Sequence, residues 1–107
     1  MMNVRIYQIN TNKDTKGVKF ENLENTLNIA GQVNPAIYSQ VYAGVCDCNN
    51  LEDVFFKFNV EKPIDFTGHS LSVSDVVEIL DGENKEAYFC DSFGFKKIGF
   101  DASAVCA

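Results

Sequence analysis

Two short runs of strand-forming residues, at 76–80 (Val-Val-Glu-Ile-Leu) and 86–91 (Glu-Ala-Tyr-Phe-Cys-Asp), flank the polar stretch Asp81, Gly82, Glu83 and Asn84. Apolar and aromatic runs joined by turn residues signal a β-hairpin. The hairpin commits the second half of the chain to an antiparallel sheet, and the remaining elements must pack against it. A further short strand is expected at 95–100, after a turn at Ser92, Phe93 and Gly94.

The first half supplies the partners. Residues 3–9 are β-branched and aromatic and read as a strand, and a polar loop follows at 10–17. Phe20, Leu23, Leu27 and Ala30 recur at helical spacing with Gly31 as a stop, which predicts a helix over 21–30. After a turn at 32–35, residues 37–46 read as a strand in which Gly44 is the expected bulge. Leu51, Val54, Phe55 and Phe58 then form one apolar helical stripe, with Asn50 as N-cap and Asp53 beside the free amides of the first turn. Asn59 and Pro63 end this helix near residue 59. Residues 60–74 are irregular, and the tail at 102–107 is expected to be loose.

About five strands and two helices without a βαβ rhythm indicate an α+β fold: an antiparallel or mixed sheet with two short helices on one face. At 107 residues the chain forms one domain, without repeats or a linker. A chain of this length buries roughly 60% of its unfolded surface, enough for a core without metal or disulfide staples.

Charge narrows the function. The net charge is −6, and all of the excess falls in residues 51–107, where five basic side chains face eleven acidic ones. That balance argues against binding a nucleic-acid backbone, which needs clustered Lys and Arg. No run approaches the ~20 apolar residues of a membrane span. No apolar segment follows a basic end at the start, so the expected location is the cytoplasm.

Chemistry has few places to reside. His69 is the only histidine, and Ser70, Ser72, Ser74, Asp75, Asp91 and Ser92 lie near it in sequence. A Ser-His-Asp hydrolase can be written from these residues, but the strained Gly-x-Ser-x-Gly turn that presents such a nucleophile is absent. The alternative is that short polar side chains satisfy the backbone of an irregular loop. Phosphate loops, dinucleotide fingerprints and metalloprotease helices are also missing, so no cofactor is expected. Cys46 and Cys48, on one face of an extended strand, could join Cys90 and Cys106 as four zinc ligands. The paired spacing typical of zinc sites is missing, and free thiols are expected instead.

Three stretches carry a family resemblance. The first is Val41-Tyr42-Ala43-Gly44 with the helix at 51–59 (Leu-Glu-Asp-Val-Phe-Phe-Lys-Phe-Asn). The second runs over 63–77 (Pro-Ile-Asp-Phe-Thr-Gly-His-Ser-Leu-Ser-Val-Ser-Asp-Val-Val). The third covers 88–95 (Tyr-Phe-Cys-Asp-Ser-Phe-Gly-Phe). Together they span 41–100 and resemble the YodL domain family of Gram-positive bacteria and their conjugative, mobile elements. The resemblance implies a small domain, free-standing or attached to larger proteins, with no established catalytic role or cofactor. The Cys46, Cys48 pair lies outside the pattern.

The expected function is therefore a non-enzymatic, monomeric protein-binding module with an unidentified protein partner. Antiparallel pairing brings residues near 75 and 91 to the same end of the hairpin. There His69, Ser70, Ser72, Asp75, Asp91, Ser92, Phe93 and Phe95 form either a structural lock or a binding surface.

Overall fold

A computed structural model describes residues 1–105. Five antiparallel strands form one sheet in the order β2-β1-β3-β4-β5. They are β1 (Met2–Ile9), β2 (Tyr38–Cys46), β3 (Val76–Asp81), β4 (Asn84–Cys90) and β5 (Phe95–Ile98). The expected hairpin is β3–β4, with Val76 opposite Phe89 and Asp81 opposite Asn84. Its turn is Gly82-Glu83, and Gly82 takes a positive φ of 62° that a side chain would resist.

Two helices complete the α+β fold. Helix α1 (Leu23–Ala30) is capped by Asn22, whose side chain accepts from the Asn25 amide, and Gly31 ends it in the left-handed conformation. Helix α2 (Leu51–Val60) is capped by Asn50 in the same way through the Asp53 amide.

The helices do not share a face as the sequence suggests. Val54 and Phe58 of α2 pack with Val4, Ile6, Tyr42, Leu71 and Val77. Leu23 and Ala30 of α1 pack with Tyr7, Ile9, Tyr38, Val76 and Phe89. Ile6 and Tyr7 are neighbours in β1, as Val76 and Val77 are in β3, so these two clusters lie on opposite faces of the sheet. The central strands are apolar at consecutive positions, and covering both faces is the only way to bury both sets.

The register of β2 contributes to this. Ile6 pairs with Tyr42 and Tyr7 with Gln40, which leaves Val41 as an extra residue. The bulge is at Val41 rather than at Gly44. It inverts the alternation of the strand, so that Tyr42 and Tyr38 enter opposite clusters although both are at even positions. The tail also differs from expectation. Ala102–Ala104 form a short 3₁₀ turn capped by Asp101, and Phe100, Ala102 and Val105 pack on the α1 face. Cys106 and Ala107 lie outside the described residues. Among the described residues no helix is long and apolar enough to cross a membrane.

Candidate functional site

The loop at 61–75 runs over the α2 face and is held at three places. The bulge leaves the Val41 carbonyl to accept from the Thr67 amide at 3.2 Å and from Thr67 Oγ1 at 3.2 Å. Gln8, a buried polar residue of the interior strand β1, grips the next residues. Its Nε2 donates to the His69 carbonyl at 2.8 Å, and its Oε1 accepts from the His69 amide at 3.1 Å. One carboxamide thereby pairs with a backbone peptide as a neighbouring strand would. The third hold is Asp75, whose Oδ2 accepts from the Ser72 amide at 2.7 Å and from Gln8 Nε2 at 3.1 Å.

Asp75 ends a tight turn from Ser72, closed by its amide donating to the Ser72 carbonyl at 3.1 Å. Ser74 adopts a positive φ of 83°, which costs a non-glycine residue about 1–2 kcal/mol. Three contacts fix it there. Its amide donates to Cys90 O at 2.9 Å, its carbonyl accepts from Tyr38 Oη at 2.6 Å, and its Oγ accepts from the Phe20 amide at 3.0 Å. The Cys90 amide donates in turn to the Asp75 carbonyl at 2.8 Å. The two signature stretches around 75 and 91 are thus joined directly. Burial pushes the Asp75 carboxyl up to about 7, against the lowering effect of its Ser72 and Gln8 hydrogen bonds. Burial, followed by the charges of Asp75 and Asp91, pushes the Cys90 thiol up to about 12.

Asp91 joins the α1 side to this junction. Its Oδ1 accepts from the Leu23 amide at the start of α1 at 3.1 Å and from the Ser92 amide at 2.9 Å. The Asp91 amide donates to Gly94 O at 2.9 Å, which closes the β4–β5 turn with Phe93 at its tip. Phe93 is 91% exposed.

No triad forms from the residues the sequence placed near His69. His69 Nδ1 lies 2.7 Å from the Ser70 carbonyl, and its Nε2 is buried without a hydrogen-bond partner among the described residues. Its ring stacks at a tilt near Phe20, with centroids 5.4 Å apart. Ser72 Oγ donates to the Ser70 carbonyl, and Asp75 is engaged with Gln8 and Ser72 rather than with His69. Cys46 and Cys48 are buried together in the α2-side core, and among the described residues no group of three or more His, Cys, Asp or Glu is placed to hold a metal ion.

The eight candidate residues therefore separate. Asp75, His69 and Ser70 belong to the loop's anchoring. Ser72, Asp91, Ser92 and Phe95 line a groove of about 720 Å³ between α2 and the β4–β5 turn, and Phe93, exposed at the tip of that turn, is not part of the lining. The helix side of the groove consists of Glu52, Phe55, Phe56, Asn59 and Val60, and Leu71 and Val73 also line it. Phe55 and Phe95 meet nearly perpendicularly, with ring centroids 6.5 Å apart. Phe56 is 56% exposed and Val60 65%. This helix side did not stand out in the sequence as a surface, although Phe56 and Val60 recur at i and i+4 beside the buried stripe. A helix with more large apolar residues than one stripe can bury is the signal that points to it.

No curated protein and no solved structure matches the chain. A family model described as YodL-like domain matches residues 3–100, which takes in β1 and α1 as well as the three stretches that carried the resemblance. With that match spanning nearly all of its length, the chain belongs to the YodL-like domain family.

Proposed function

We propose that this domain is a non-enzymatic protein-binding module, and that the groove between α2 and the β4–β5 turn is its binding surface. The observation that carries this reading is the exposed apolar wall of Phe55, Phe56 and Val60, set opposite the two signature stretches. Apolar side chains gathered on one outer face mark interaction sites in soluble domains. A non-catalytic role is supported by the polar residues around His69, which are spent on backbone groups of the loop. The resemblance to YodL domains supports a setting in Gram-positive bacteria and their mobile elements, and the proposed location is the cytoplasm, with a protein partner rather than nucleic acid or membrane. The net charge of −6 favours the same class of partner.

Affinity purification from a host cell, with the wild-type chain and Phe56→Asp run in parallel, tests the reading. A partner recovered by the wild type and lost by the variant is the expected result. Recovery of the same partners by both chains would remove the groove from the binding surface.

A further inference from the structure

The charge around the groove defines its occupant more narrowly. Its apolar lining comprises Phe55, Phe56, Val60, Leu71 and Phe95, and its charged residues are Glu52 on the helix side and Asp91 on the hairpin side. No Lys, Arg or His lines it among the described residues. The Asp91 carboxylate accepts both of its hydrogen bonds through Oδ1, from the Leu23 and Ser92 amides, and among the described residues none is made to Oδ2. We propose that the groove receives a short amphipathic segment of another protein, which places large apolar side chains on the aromatic lining and a Lys or Arg against Glu52 and Asp91.

This inference rests on the groove being the protein-binding surface. The shape favours a segment of chain over a small molecule. Small-ligand sites enclose most of their ligand, whereas Phe55 is 42% exposed, Phe56 56% and Val60 65%, an open trough along a helix. Charge favours a foreign chain over a second copy. Two identical grooves meeting about a twofold axis would bring Glu52 and Asp91 against the same acids, between chains that each carry −6. A basic partner gains from the same field, mainly in rate of encounter and selectivity, while the aromatic lining supplies most of the affinity.

Selection from a random dodecapeptide phage library against the full chain tests the proposal. Enriched peptides are expected to combine a net positive charge with two or more large apolar residues. Phe56→Asp is expected to weaken them about tenfold or more. Glu52→Lys is expected to weaken them less, with an effect that shrinks as salt rises. Val60→Asp serves as a second variant, and thermal melting checks that each variant folds. Neutral or acidic enriched peptides that still depend on Phe56 would overturn the basic occupant and leave the groove as a binding surface. Peptides indifferent to Phe56→Asp and Val60→Asp, or no enrichment at all, would overturn both the basic occupant and the groove as a binding surface. A concentration-dependent dimer abolished by Phe56→Asp in sedimentation would place a second copy in the groove and overturn the basic occupant.

Discussion

Gln8 and Asp75, 67 residues apart in the chain, are joined inside the protein by a 3.1 Å hydrogen bond from Nε2 to Oδ2. The same Oδ2 receives the Ser72 amide, and the same Gln8 holds both backbone groups of His69. The irregular loop at 61–75 is therefore fastened to the interior strand β1 of the sheet through two side chains. Removing either one leaves buried polar groups without a partner, which costs more than the hydrogen bond itself contributed.

Asp75→Ala is expected to destabilise the domain by about 1–3 kcal/mol, because the Ser72 amide loses its acceptor and Gln8 loses one of its partners. Thermal unfolding should show a melting temperature lower by several degrees. An unchanged melting temperature would mean that the junction does not hold the loop.

The same carboxyl makes stability depend on pH. Its value is about 7 in the fold against an ordinary 3.8, so between those values the folded chain keeps a proton that the unfolded chain has released. The folded state then binds more protons, and stability falls as pH rises. This contribution is full below about 4 and is lost as the pH passes about 7. Between pH 5 and pH 8 the wild type should lose stability relative to Asp75→Asn, which does not titrate at this position. Calorimetry of both chains across that range reads the difference; parallel curves would refute it.

Ser74 supplies a test of strain against bonding. Ser74→Ala keeps the positive φ and removes the acceptor of the Phe20 amide, whereas Ser74→Gly removes the acceptor and the strain together. Alanine should destabilise by about 1 kcal/mol, and glycine should be the more stable of the two variants by a similar amount, apart from its greater freedom when unfolded. Denaturant unfolding ranks them, and the reverse order would show that the φ is not strained.

Gly68 lies against Gln8. A Cβ there would collide with the Gln8 carboxamide and meet Val41 Cβ at 3.0 Å, so the carboxamide would have to leave His69. Gly68→Ala is expected to cost about 1–3 kcal/mol, the range for overpacking. Hydrogen exchange should accelerate at the His69 amide first, because its acceptor is Gln8 Oε1.

Two phenylalanines of α2 should respond differently. Phe58 is fully buried and meets Tyr42 and Phe66 edge-on at 4.8 and 5.1 Å, so Phe58→Ala should cost about 3–5 kcal/mol. Phe55 is 42% exposed, so its truncation should cost much less although it belongs to the same helical stripe. Equal losses in chemical denaturation would contradict the assignment of Phe55 to the groove.

Local pattern carried the elements themselves. The stripe at Leu51, Val54, Phe55 and Phe58 with a cap at Asn50 located α2, and turn residues between two strand-like runs located the β3–β4 hairpin. Helical period and capping are set by neighbours three or four residues away, so they can be read along the chain. The proximity of residues 75 and 91 was legible for the same reason, since a hairpin fixes which residues stand opposite each other.

The tertiary structure decided what depends on distant partners. A single extra residue at Val41, visible only once Ile6 pairs with Tyr42 and Tyr7 with Gln40, sends Tyr38 and Tyr42 to opposite faces and accompanies a sheet covered on both sides. Gln8 looks like an ordinary polar position in a strand until the loop from 61 to 75 crosses above it and supplies a buried peptide and a carboxylate. Phe55 reads as core by its spacing, but Val54 and Phe58 take the centre of the contact and leave it on the groove with Phe56 and Val60. Spacing along a helix determines which side chains share a stripe. How far the sheet extends beneath that stripe determines which of them water still reaches.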